Sequence, residues 1–338
     1  MTRTDATFRV DVAGSFILRF PQQRIGMPRH TSTRLFAASL CAAVSACSVD
    51  RPTALRDGIT APTAQLSTAG FVTSQPAQAE AVLPQASVTP IISSGDILPG
   101  SGEAWAPIPD GMGAYFENGS LNVFVNHELS SSGVKSINVG PTIAWARVSK
   151  LTIDPATMSI TNGWYPEDGS TQLQRLCSAT WADGVTGLPT GDCLTVEESL
   201  GTTNGSVVTA IDKHGAKIAL PHLGSFAHEN RIVVPCFPGK VVSIGMDDTA
   251  GAAELYMYVA ADETAFIRGT GKLYVFRTSR KTPHGTNLHS GNMADGQVVT
   301  GDFVEIADPA DLGTAPTARA ANLQLKVDAL GAMRFVLG

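Results

Sequence analysis

The sequence predicts an all-β fold, and three observations carry the prediction. Apolar and polar residues alternate with period two through Leu121–Val125, Ile143–Val148, Ser206–Ile211, Glu254–Val259 and Lys272–Phe276. Tight-turn residues separate such runs: Glu117-Asn118-Gly119, Asp154-Pro155-Ala156-Thr157 and Asp212-Lys213-His214-Gly215 each predict a hairpin. No convincing amphipathic pattern of helical length interrupts them. Many short antiparallel strands with frequent glycine suit a sandwich, a barrel or a propeller. No WD or kelch repeat of fixed period chooses between these.

The chain has 338 residues, of which 43% are hydrophobic and 16% charged, so its composition is that of a globular protein. Its amino end reads differently. Met27 is followed by Arg29 and Arg34, the apolar stretch Leu35–Ala43, and then Val44-Ser45-Ala46-Cys47. That order is the basic region, apolar region and small-residue cleavage site of an export signal. The last four residues also resemble a bacterial lipobox, which makes Cys47 the expected lipidation site and first mature residue. The alternative is an ordinary signal cleaved nearby, with Cys47 incidental.

The expected organisation is therefore a misassigned upstream extension over 1–26, a signal over 27–46, a flexible Ala/Thr/Pro/Ser/Gln-rich tether over 47–90, and a β-domain over 91–338. The expected location is outside the cytoplasm of a bacterium, lipid-anchored to a membrane or periplasmic. Without residues 1–46 the chain loses six arginines and two aspartates, and its net charge falls from −6 to −10. That balance argues against nucleic acid as a partner. It also suits cation binding, although solubility alone accounts for such a charge.

Five cysteines occur. Cys41 lies within the signal and Cys47 at its end, leaving Cys177, Cys193 and Cys236 in the body. In an exported protein Cys177 with Cys193 could close a short disulfide loop, with Cys236 left over. No pair has zinc-ligand spacing.

Four acidic motifs end strand-like runs: Asn126-His127-Glu128, Glu197-Glu198, His228-Glu229-Asn230 and Asp247-Asp248. Carboxylates brought together near a core are costly to desolvate unless a metal, a cationic side chain or water lies between them. Each motif also has a plainer reading. His127 can be a hydrogen-bonded histidine closing a strand. Glu197 and Glu198, as successive strand residues, face opposite ways, so only one can reach a shared site. Asp247-Asp248 can simply open a turn.

The strings Ile108-Pro109-Asp110-Gly111-Met112-Gly113-Ala114-Tyr115 and Val123–Leu129 resemble the opening signature of the PhoX-type alkaline phosphatase family. Cys177-Ser178-Ala179, Leu194–Glu198, Gly224–Asn230 and Val241–Asp248 follow in the family's order. The resemblance covers about Ile108 to Val336 and implies a β-propeller whose central channel holds calcium and, in the phosphatase branch, iron. Metals there neutralise phosphate oxygens and activate an oxygen nucleophile.

Carried over, the resemblance makes Glu128, Glu198 and Glu229 the leading metal ligands, with Glu197, Asp247 and Asp248 next. Asn126, main-chain carbonyls and water would complete a calcium shell. His127 and His228 are the candidate catalytic groups, orienting those glutamates or touching substrate. In the phosphatase branch a cysteine that ligates iron precedes the Glu-Glu pair. Val196 stands there in this chain, so calcium is expected and iron is not.

Met333–Val336 resembles the lead-in to a family segment of the form Arg-Pro-Glu-Asp-Gly, but Leu337-Gly338 follow. The expectation is thus a propeller incomplete at its carboxyl end. The expected function is an exported, calcium-dependent hydrolase of phosphate esters. The alternatives are a non-catalytic calcium-binding module, an inactive truncated enzyme, or an esterase-like or phytase-like propeller. Serine-hydrolase, phosphate-loop and His-Glu-x-x-His signatures are absent.

Overall fold

The computed structural model describes residues 7–10, 16–19, 73, 75–135, 142–235, 237–249, 253–278, 298–307 and 334–335. Cys41, Cys47, Cys236, the signal and most of the expected tether lie outside them. A two-stranded ribbon, β1 (Thr7–Val10) with β2 (Phe16–Arg19), precedes three successive antiparallel sheets.

The first sheet runs β3 (Pro109–Glu117), β4 (Ser120–His127), β7 (Arg147–Asp154), β8 (Ser159–Glu167), with a small ribbon of β5 (Val134–Lys135) and β6 (Thr142–Ile143) inserted. The second consists of β9 (Leu176–Ala182), β10 (Asp192–Glu197), β11 (Val208–Asp212) and β12 (Lys217–Leu220) in that spatial order. In the third, β13 (His228–Val234), β14 (Val241–Asp247), β15 (Ala253–Ala260), β16 (Lys272–Thr278) and β17 (Gly301–Ala307) follow one another, and β18 (Arg334–Phe335) pairs with β15.

Every sheet is an up-and-down meander, and no sheet among the described residues closes into a barrel. The first strands of the three sheets, β3, β9 and β13, pack side by side. Meanders whose first strands gather at a common centre are the arrangement of propeller blades. The all-β expectation is met; among the described residues the one α-helix, α1 (Glu263–Arg268), is short and is capped by Asp262, which accepts a hydrogen bond from the Ala265 N–H.

The three turn signals all make hairpins. Asn118 and Gly119 both take positive φ, 51° and 78°, as a two-residue turn between β3 and β4 requires. Asp154 accepts the Ala156 N–H at 2.9 Å between β7 and β8. Asp212 accepts the N–H groups of His214 and Ala216 at 2.8 and 2.9 Å between β11 and β12.

Two expected strands are shorter than their alternation suggests. Ile143–Val148 is broken because Trp145 has φ 66°, with its N–H donated to the Ser130 carbonyl and that of Ala146 to Leu173. The run beginning at Ser206 becomes strand only at Val208, since Ser206 has φ 55° and donates its N–H to Thr202 Oγ1. At Trp145 main-chain bonds to distant segments, and at Ser206 a local side-chain bond, override a period-two pattern.

The core lies between the sheets. Phe124, Val148, Leu176, Cys193 and Ile211 join the first sheet to the second. Leu194, Val196, Val208, Val233, Tyr256 and Phe266 join the second to the third. Each such fully buried side chain contributes roughly 1.5–3 kcal/mol by leaving water. The disulfide considered for Cys177 and Cys193 does not form: both thiols are free and buried. Cys193 lies opposite Trp181 near one end of the β9–β10 ladder, while Leu176, beside Cys177, lies opposite Glu197 at the other end.

Two glycines set the spacing at the centre. A Cβ on Gly111 would lie 2.2 Å from the Ala179 nitrogen and 2.3 Å from the Cys177 carbonyl oxygen, and one on Gly113 would lie 2.7 Å from the Trp181 nitrogen. Only bare backbone lets β3 come this close to β9, and that closeness brings Asp110 beside Cys177.

Candidate metal centre

The three sheets build the same corner in the same way. The second strand of each ends in a buried residue followed by a half-buried carboxylate: His127 then Glu128, Glu197 then Glu198, Asp247 then Asp248. That carboxylate's N–H donates to the carbonyl of the residue just before the sheet's first strand. The pairs are Glu128 to Ile108 at 2.9 Å, Glu198 to Arg175 at 3.0 Å and Asp248 to Ala227 at 2.9 Å. Two residues beyond each accepting carbonyl stand Asp110, Cys177 and Glu229. Each sheet thus supplies one donor from its first strand and one from the end of its second.

Irregular pairing helps to aim them. The β3–β4 register shifts between Pro109 and Met112, the β9–β10 register between Thr195 and Glu197, and the β13–β14 register between His228 and Asn230. Bulges of this kind re-aim side chains. Donor atoms of Asp110, Glu128 and Cys177 lie within 4.8 Å of one another, as do those of Cys177, Glu198 and Glu229. The Cys177 thiol belongs to both sets and donates a hydrogen bond to Glu198 Oε2. Asp248 lies close enough to Glu198 for the two carboxyls to share a proton.

Among the described residues, one cation faces this group. Arg175 Nη2 lies 2.9 Å from Glu128 Oε1 and 2.7 Å from Glu198 Oε2, and its Nε donates to the same Glu198 oxygen at 3.1 Å. Burial works against the charge of Glu198, but the bonds from Cys177 and Arg175 hold its carboxyl below the ordinary range. Its neighbours go the other way. Partial burial and then the charges of Glu198, Asp248, Asp110 and Glu128 raise Glu229. Asp110 is raised by burial and Glu198, and Asp248 by burial and the neighbouring Glu198 carboxyl. The Cys177 thiol is pushed far up by burial, then by Glu198. Carboxyls and a thiol that retain protons because they are buried, and then because they crowd one another, release them to a cation.

Of the residues singled out in the sequence, Glu128, Glu198, Glu229 and Asp248 come together here, and four others do not. The Glu197 carboxylate is buried, accepting the Gln174 N–H at 2.9 Å and the Thr202 hydroxyl at 2.8 Å. Asp247 turns inward and accepts both the N–H and the hydroxyl of Thr249, at 2.9 and 2.6 Å. His127 is fully buried, its ring nitrogens 3.2 Å from the Pro107 carbonyl and 3.0 Å from Ser149 Oγ, and burial lowers it to about 4. His228 is equally buried, 3.3 Å from the Gly224 carbonyl and packed on Phe226. Neither ring joins the cluster. The physical reason is strand alternation: each precedes a residue that faces the centre, so it faces the core. Asn126, considered for a calcium shell, is also buried, bonded through its side chain to the Ser178 carbonyl and Thr195.

Asp110, Arg175 and Cys177 were not assigned from the sequence, although the strings containing Asp110 and Cys177 carried the family resemblance. Val196 is fully buried in the core between sheets. The thiol that does join the cluster is Cys177, on the neighbouring strand β9.

No known protein-family profile matches the chain, and no curated protein matches it. Among solved structures, Pseudomonas fluorescens PhoX in complex with vanadate, a transition state analogue, is 16% identical over 72% of this chain and 60% of its own, with a TM-score of 0.48. The chain thus spans about 60% of the length of that protein. A GH43 protein of Bacillus licheniformis, BlXynB, aligns over 46% of this chain and 29% of its own at 14% identity and a TM-score of 0.29. The Podospora anserina α-L-arabinofuranosidase PaAbf62A aligns over 58% of this chain and 67% of its own at 10% identity and a TM-score of 0.29.

Proposed function

We propose that the chain is an exported hydrolase of phosphate esters that works with cations bound between Asp110, Glu128, Cys177, Glu198, Glu229 and Asp248. The observation that supports this most is the repetition: three sheets each send two donors to one place. Five carboxylates and a thiol facing, among the described residues, a single guanidinium are stable together only with added positive charge or retained protons. The carboxylates fit calcium, which takes six to eight oxygen ligands. The Cys177 thiolate is a softer donor and fits a transition ion such as iron beside it. The position of Val196 is therefore no reason to leave iron out.

Bound cations would supply charge neutralisation and Lewis acidity toward a phosphoryl oxygen. The chain's own residues do the rest. Glu229, Asp110, Asp248 and Cys177 give up protons as the site loads, so loading strengthens as pH rises. Glu198 stays ionised and anchors the second sheet's side of the site. His127 and His228 act as core posts beside Glu128 and Glu229, not as proton carriers to substrate. The proposal includes lipid anchoring through Cys47.

The sequestration of both histidines favours a second reading, a calcium-stabilised module without turnover. Elemental analysis of purified protein, beside hydrolysis of a chromogenic phosphomonoester with and without calcium, tests both. Bound metal with hydrolysis supports the enzyme, bound metal without hydrolysis the module. Metal-free, inactive protein after calcium loading would contradict both.

A further inference from the structure

Ile108, Arg175 and Ala227 hold equivalent places, each just before the first strand of its sheet and each accepting the N–H of the carboxylate at the end of the second strand, Glu128, Glu198 and Asp248. Ile108 and Arg175 even share a left-handed backbone, with φ 51° and 50°. Only Arg175 carries charge. Its main chain is fixed at both ends, the N–H donated to Leu129 at 2.8 Å and the carbonyl taken by Glu198 at 3.0 Å. Its side chain, by contrast, is 47% exposed. The guanidinium therefore reaches over the cluster from an immobile base.

Three donors converge on one oxygen, Glu198 Oε2: Arg175 Nε, Arg175 Nη2 and the Cys177 thiol. A cation that takes this oxygen must displace the guanidinium. Nη1 bonds to no described residue, and a released guanidinium presents a planar fork that matches two oxygens of a tetrahedral oxyanion. The same cluster repels an anion until its carboxylates are neutralised. Cation entry thus removes the repulsion and frees the recognising group in one step.

We propose that Arg175 is the oxyanion-recognising, specificity-determining residue of this site, held on Glu128 and Glu198 until a cation takes those carboxylates. This rests on the reading of the cluster as a phosphate-ester site. Cation and oxyanion then assist one another's binding, by linkage.

The test is isothermal titration of calcium into metal-stripped natural protein, Arg175→Ala and Arg175→Lys, followed by inorganic phosphate into each calcium-loaded form. Far-UV circular dichroism confirms that each is folded. Arg175→Ala, lacking the competing charge, is expected to bind calcium about tenfold tighter and to lose phosphate binding. Arg175→Lys keeps the charge without the fork, so calcium affinity stays near the natural value while phosphate binding weakens. Should Arg175→Ala fail to fold, the lysine variant alone decides. Unchanged or weaker calcium binding in Arg175→Ala, or undiminished phosphate binding in either variant, overturns the inference and leaves the site standing. Natural protein that takes up no calcium overturns the site itself and the inference with it.

Discussion

Glu197 and Glu198 are neighbours with the same side chain and opposite circumstances. Glu197 faces inward, where a main-chain N–H and a hydroxyl satisfy both oxygens. Glu198 faces the centre, where it meets Arg175, Cys177 and Asp248. Asp247 and Asp248 repeat the contrast, and so do the core-facing His127 and His228 beside Glu128 and Glu229. Of the inward set, Glu197, Asp247 and His127 have hydrogen-bond partners that make a buried polar group tolerable, while His228 is bonded through Nε2 alone. The central set has too many like charges and too few partners. On the proposed reading, that collection is held for a cation.

Exchanging one glutamate of the pair at a time should separate the two roles most sharply. Glu198→Gln is expected to weaken cation binding by about a hundredfold, as loss of an ionised ligand does, while leaving the metal-free melting temperature nearly unchanged. Glu197→Gln should leave cation affinity within a few fold but lower stability by about 1–3 kcal/mol, because its amide cannot accept both hydrogen bonds in the same way. Calorimetric titration and thermal melts of both variants check this; equal effects on binding would erase the contrast.

The two cysteines extend it. Cys177→Ser should lose a thiophilic ion such as cadmium yet keep calcium, while Cys193→Ser, in the core between sheets, should only destabilise. Competition titrations with cadmium and calcium distinguish these outcomes. A smaller effect concerns pH. Asp110, Glu229 and Asp248 are all raised, so they still bind protons above the ordinary carboxylate range. Calcium affinity should therefore rise with pH through and above that range. A flat profile would mean that these groups are not ligands.

The smallest expected effect lies far from the centre. Asp192 is raised to about 6 by burial and by Glu263 and Asp212, the latter directly across the β10–β11 ladder. With the folded value above the unfolded one, its ionisation costs stability as pH rises from about 4 to about 6. Asp192→Asn should thus stabilise the protein by about 1 kcal/mol at pH 8 and by little at pH 4, discounted for the solvent that reaches it. Melting curves at the two pH values check the sign.

The strands and hairpins were legible because alternation and turn chemistry are local. So were the four acidic motifs, since each ends an apolar run. Trp145 and Ser206 were not, because their left-handed backbones depend on bonds to Ser130 and Thr202. Which residue of each motif faces the centre follows from alternation once one is fixed, yet nothing in the sequence fixes the first. The place of Cys177 was illegible for a different reason. It reaches the cluster because Gly111 and Gly113 let β3 lie against β9, a contact between sheets that no local pattern encodes. The repeat of carbonyl, donor and acid across the sheets is likewise invisible in residue identities, since Ile108, Arg175 and Ala227 have no chemistry in common.

The measurement that tests the central claim most directly is the metal content of the natural protein and of a Glu128→Gln, Glu198→Gln, Glu229→Gln variant. Both are loaded with calcium, dialysed and checked for an intact fold. The account predicts calcium retained by the natural protein and lost from the folded variant. Equal content in the two would show that these carboxylates do not form the site.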